Sequence, residues 1–71
     1  QTYIGFDLPA DMQADLVIFD QLGKMVRQYS GNYSQGYNRV EIAKENLGKG
    51  MYYYTLRTAD FTATKSMIVL D

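Results

Sequence analysis

Apolar and polar residues alternate along most of this chain, and the phase of the alternation resets at short breaks. In Thr2-Tyr3-Ile4-Gly5-Phe6-Asp7-Leu8, Ile4, Phe6 and Leu8 fall on one side and Tyr3, Gly5 and Asp7 on the other. This two-residue period predicts a half-buried strand. Pro9 ends it, Pro9 to Gln13 predicts a polar turn, and Ala14 to Phe19 predicts a second strand with Ala14, Leu16 and Ile18 on one face. Asp20-Gln21-Leu22-Gly23-Lys24 predicts a turn, in which Asp20 bonds nearby backbone amides and Gly23 takes a positive φ. Met25 to Tyr29 predicts a third strand, and the glycine-containing polar stretch Ser30 to Gly36 a loop.

Tyr37 to Ile42 predicts a fourth strand with Val40 and Ile42 inward, and Ala43 to Asn46 a turn too short to sustain a helix. Gly48 and Gly50 bracket a tight corner. A fifth strand follows with Tyr52, Tyr54 and Leu56 inward, then a turn at Ala59-Asp60. Phe61 to Leu70 predicts a sixth strand with Met67 and Val69 inward. Turn signals at this spacing, enrichment in Val, Ile, Tyr, Phe and Thr, and no sustained 3.6-residue period predict an all-β fold. The expected architecture is a small antiparallel immunoglobulin-like β-sandwich of six to seven strands.

With 71 residues there is room for one domain, and a domain of this size buries only about 60% of the surface its unfolded chain exposes. No apolar run approaches the roughly 20 residues of a membrane-spanning helix, so membrane insertion is not expected. Seven basic and eight acidic residues give a net charge of -1. That balance lacks the positive field that dominates affinity for nucleic acid. Gln1 stands where an initiator Met would be, and no charged-then-apolar leader follows it. Residues 1–71 are therefore expected to be a single domain excised from a longer protein.

The chain has no Cys and no His, which removes thiolate nucleophiles, imidazole bases, disulfides and the usual zinc ligands. Catalysis would rest on carboxylates. Asp7, Asp11 and Asp15 are spaced as on a helix face, but Pro9 and the flanking strand pattern deny that geometry, and so short a chain leaves little room for a cleft. Asp7, Asp11 and Asp20 lack the loop spacing of a calcium site. No enzymatic activity, cofactor or metal is expected. Tyr52-Tyr53-Tyr54 invites a stacking role toward a sugar or base. In a strand, however, Tyr53 points away from its two neighbours, which favours a core role. Tyr29, Tyr33 and Tyr37 lie around the expected long loop and are strand formers in their own right. Lys65, between Thr64 and Ser66, is either a charge that discourages sheet-to-sheet aggregation or a contact read by a receptor.

An ordered set of short motifs spans the chain. It comprises Thr2-x-Ile4-x-Phe6-x-Leu8-Pro9, Leu16-x-Ile18-Phe19-Asp20-x-x-Gly23-x-x-Val26, and Gly36 ahead of Val40-x-Ile42. Leu47-x-x-Gly50-x-Tyr52-x-Tyr54-x-Leu56 and Thr64-Lys65-x-Met67-x-Val69 complete it. Together they resemble the C-terminal sorting domain, type A, of cargo proteins exported by the type IX secretion system of Gram-negative bacteria. The Asn-Pro motif that usually precedes the first strand is missing, and Asp71 stands where many relatives end in a basic residue.

The resemblance implies a non-catalytic secretion signal that passes through the periplasm and crosses the outer membrane with its attached N-terminal cargo. Its implied partners are the translocon and a surface sortase, which removes the domain and leaves the cargo released or joined to a surface lipopolysaccharide. It further implies that recognition runs through Gly50, Tyr52, Tyr54, Lys65, Met67 and Val69, with Asp20, Gly23 and Gly48 shaping turns. Self-association through an open edge is a further expectation. The alternative is an immunoglobulin-like or fibronectin-like spacer, or a module that binds a surface glycan through its tyrosines.

Overall fold

In the computed structural model, described for residues 2–43, 45 and 47–70, each alternating segment becomes a strand. The order is β1 (Thr2–Leu8), β2 (Met12–Phe19), β3 (Met25–Tyr33), β4 (Gly36–Ile42), β5 (Gly50–Thr58) and β6 (Thr62–Val69). They form two antiparallel sheets: β1 pairs with β4, and the other four run in the order β3-β2-β5-β6. The fold is therefore a small all-β sandwich of six strands among the described residues.

The inward faces are those the alternation selects. Ile4 of β1, Ala14, Leu16 and Ile18 of β2, Ile42 of β4, Tyr52 and Leu56 of β5 and Val69 of β6 form one buried cluster, joined by Leu47. Ile18 is completely buried, and Leu16 and Ile42 nearly so. Val17 points to the other face of β2, yet it too is buried. It sits on an inner strand of the sheet, opposite Gln28 on one side and Thr55 on the other, and these neighbours cover it.

Two expectations are corrected. Ser30 to Gly36 is not one loop: β3 runs on to Tyr33, and only Ser34 and Gln35 separate it from β4. Pairing outweighs the local glycine and polar signal, because Gly31, Asn32 and Tyr33 find partners in Ala14, Gln13 and Met12. Tyr33 also packs edge-on against Phe6 of the opposite sheet, with ring centroids 5.3 Å apart. For the same reason β2 begins at Met12 rather than Ala14, and the first turn shrinks. Asp11 in that turn accepts a 2.7 Å hydrogen bond from the Gln35 amide, which ties the two connections at this end together. The turn expected at Ala43 to Asn46 lies partly outside the described residues, since Lys44 and Asn46 are not among them; Glu45 is in a turn.

The two margins of the four-stranded sheet differ. Along β3, the Arg27 guanidinium donates from Nη1 to the Val26 carbonyl at 2.7 Å and from Nε to the Ala43 carbonyl at 3.2 Å, and Nη2 donates to the Glu45 carbonyl. The Tyr29 hydroxyl accepts from the Ala43 amide at 3.0 Å. The connection from β4 to β5 is thus stapled along this margin. Among the described residues β6 pairs with β5 alone and carries no such side-chain staple.

Candidate functional site

The last hairpin is closed by a two-residue turn at Ala59-Asp60. Its strands are joined where the Thr58 amide donates to the Phe61 carbonyl at 2.9 Å, and the Thr58 hydroxyl oxygen accepts from the amides of Asp60 and Phe61, each at 3.1 Å. From this point the register pairs Leu56 with Ala63, Tyr54 with Lys65, Tyr52 with Met67 and Gly50 with Val69. The six residues expected to carry recognition are therefore brought together as three directly opposed pairs on one face, the face turned toward β1.

Their accessibility differs. Val69 is 1% exposed and Tyr52 9%, Tyr54 and Met67 are half-buried, and Lys65 is exposed. Tyr52 and Val69 belong to the core, the role that strand alternation favours for Tyr52. The Tyr52 hydroxyl is satisfied locally by donating to the Gly48 carbonyl at 2.6 Å, which pins the corner entering β5. Gly50 sits at that corner with φ 144°, a conformation side chains rarely adopt.

Lys65 shares its face with Met67 and Val69 instead of pointing to the outside of the sandwich. It lines a groove of 310 Å³ between β1 and the last hairpin, walled by Phe6 and Asp7 on one side and by Tyr54, Leu56 and Phe61 on the other.

Asp20 and Gly23 act as expected in the turn between β2 and β3. One Asp20 carboxylate oxygen accepts from the amides of Leu22 and Lys24, each at 2.9 Å, and Gly23 has φ 85°. The other acidic candidates do not converge: Asp7 is in β1, Asp11 in the first turn, and Asp15 in β2 lies 4.0 Å from Arg57. Among the described residues no three His, Cys, Asp or Glu side chains gather as a metal site would require.

Two of the exposed tyrosines, Tyr3 and Tyr37, share the outer face of the two-stranded sheet on either side of Arg39, and Tyr53 lies apart from them. Tyr3 carries the Arg39 guanidinium 4.3 Å above its ring, Tyr37 lies across Gly5 on the two-stranded sheet, and Tyr53 is on the outer face of the other sheet.

The motif reading passed over the outer face of the same hairpin. Met51, Tyr53 and Ile68 are 41%, 41% and 62% exposed, and Leu22 at the neighbouring turn is 93% exposed. Met51 stands opposite Ile68 and Tyr53 opposite Phe19 of β2. The signal was in the sequence, in the opposite phase of the two strands that supplied the inward set.

Comparison with curated proteins and with solved structures gives no significant match. A family model described as the secretion system C-terminal sorting domain matches residues 1–70. That match covers all six strands, and the chain belongs to the family of type IX secretion system C-terminal sorting domains.

Proposed function

We propose that this domain is a non-catalytic export signal that takes an attached N-terminal cargo through the periplasm and across the outer membrane. Membership of the family itself implies a C-terminal signal for the type IX machinery, an attached cargo, and delivery to the cell surface or beyond. The finer steps are our reading. The translocon engages the last hairpin at Lys65 and the half-buried Tyr54 and Met67, whose presentation Gly50, Tyr52 and Val69 set from within, and a surface sortase then removes the domain, leaving the cargo free or joined to lipopolysaccharide.

The observation that carries this reading is the family match over residues 1–70. The chemistry of the chain supports it. A domain without Cys folds without an oxidant, and its carboxylates are dispersed rather than convergent. Within the hairpin, Tyr52 and Val69 hold the shape from inside, while Lys65 and the backbone of β6 are accessible to a receptor.

Fusion of residues 1–71 to the C-terminus of a periplasmic reporter, in a host with an active type IX system, tests the proposal. The reporter is expected outside the cell, and in a host lacking the translocon it is expected to stay in the periplasm. Retention of the folded fusion in both hosts would overturn the export role.

A further inference from the structure

The hydrogen bond from the Thr58 amide to the Phe61 carbonyl fixes the phase of the final ladder. In an antiparallel pair, hydrogen-bonded and non-hydrogen-bonded positions alternate. Ala63, Lys65, Met67 and Val69 therefore turn their backbone groups toward β5, and Thr62, Thr64, Ser66 and Ile68 turn theirs outward. The first half of the β3 margin is covered by Arg27 and the stapled connection, whereas along its eight residues the β6 margin presents a row of N–H and C=O groups. Its single charge, Lys65, lies on the inner face beside the groove rather than along that row.

Resting on the export reading, we propose that the receptor adds an extended strand to the outward margin of β6 and places a carboxylate beside Lys65. Open backbone donors and acceptors at strand spacing are matched by another strand. A lipid surface has no such alternation. The added strand would extend the inner face across the mouth of the groove and take Lys65 out of water. Asp7 stands across the groove and makes no ion pair with Lys65 among the described residues, so a covered ammonium at the hairpin wall calls for an anionic partner from the added strand. Phe6, Tyr54 and Phe61 offer apolar contact to a side chain two positions from that carboxylate.

A second copy of the chain is the poorer occupant. Two β6 strands paired antiparallel about their centre bring the two Lys65 side chains directly opposite or diagonal on the same face, where like charges repel.

The reporter fusion separates this proposal from the reading beneath it, because export of the unaltered fusion is the reference for every variant. Ser66→Ala keeps the outward N–H and is expected to export normally. Ser66→Pro removes that N–H without touching the ladder to β5, as edge strands tolerate. It is expected to lower export at least about tenfold, with circular dichroism and urea midpoint near those of the parent. Lys65→Glu is expected to fall by a similar factor, and Lys65→Arg, which keeps the charge, to retain several-fold more export than Lys65→Glu.

Normal export of folded Ser66→Pro, or equal export of Lys65→Glu and Lys65→Arg, would overturn the proposal. If Ser66→Pro does not fold, the exposed Lys65 pair decides alone. A dimer of the purified domain in sedimentation that Ser66→Pro dissolves would assign the margin to a second copy and overturn the receptor strand. Loss of export by the unaltered fusion would instead remove the export reading itself.

Discussion

The Tyr52 hydroxyl donates to the Gly48 carbonyl at 2.6 Å, so a side chain buried in the sandwich holds the corner that leads into its own strand. The bond links the core to the shape of the last hairpin. Tyr52→Phe keeps the ring and removes only the hydroxyl. Because Gly48 is exposed, its carbonyl can turn to water, and we expect a loss of about 0.5–1.5 kcal/mol in urea denaturation, with the m-value unchanged. A loss well above that range would show that the corner does not relax.

Ile18 is fully buried at the centre of the cluster. We expect Ile18→Ala to cost about 2–5 kcal/mol, a large share of the roughly 5–15 kcal/mol that holds a typical domain. Thermal unfolding should show a much lowered midpoint or no cooperative transition. Lys65→Ala is exposed and should stay within about 0.5 kcal/mol of the parent. A defect in its export would then belong to recognition and not to folding.

Two glycines distinguish backbone strain from side-chain crowding. Gly50 has open space around a would-be Cβ but carries φ 144°, so Gly50→Val is expected to cost about 1–3 kcal/mol through the backbone and to reduce both stability and export. At Gly5 a Cβ would collide only with the end of the Tyr37 ring, a 67% exposed side chain that can swing away. Gly5→Ala should therefore cost less than about 1 kcal/mol in the same denaturation assay.

Arg27 holds three carbonyls along the β3 margin. Arg27→Met retains most of the aliphatic stem and removes the donors, and hydrogen bonds from a charged group are worth about 1.5–3 kcal/mol each where they are not replaced by water. We expect faster amide hydrogen exchange in the 43–49 connection and at the start of β3, with protection in β2 and β5 little changed. Uniform loss of protection would mean that the margin is not a separable element.

Much of this architecture was legible in the sequence because the two-residue period is strong. Ile4, Leu16, Ile18, Ile42, Leu56 and Val69 all lie on the faces that alternation assigned, and Asp20-Gln21-Leu22-Gly23 forms the turn its residue types demand. The end of β3 was not legible. Gly31 and Asn32 carry a local loop signal, and only partners from Met12 to Ala14, distant in the chain, make them a strand. The hairpin pairs Tyr54 with Lys65 and Tyr52 with Met67 followed from the motifs only once a register was known. Lys65 reads as a polar position in an edge strand; the two-residue period puts it on the face of Met67 and Val69, but only the packing of β1 against the hairpin shows that a groove lies beside it.

The order β3-β2-β5-β6 also sets when the domain can exist. β2 lies inside the sheet, yet its second neighbour, β5, is made only after β3, β4 and the corner between them. During synthesis Leu16 waits for Leu56, and a polypeptide cut short before β5 has no finished sheet to display. Completion of the tag thus reports that translation has passed through everything upstream, so a prematurely terminated cargo carries no valid label.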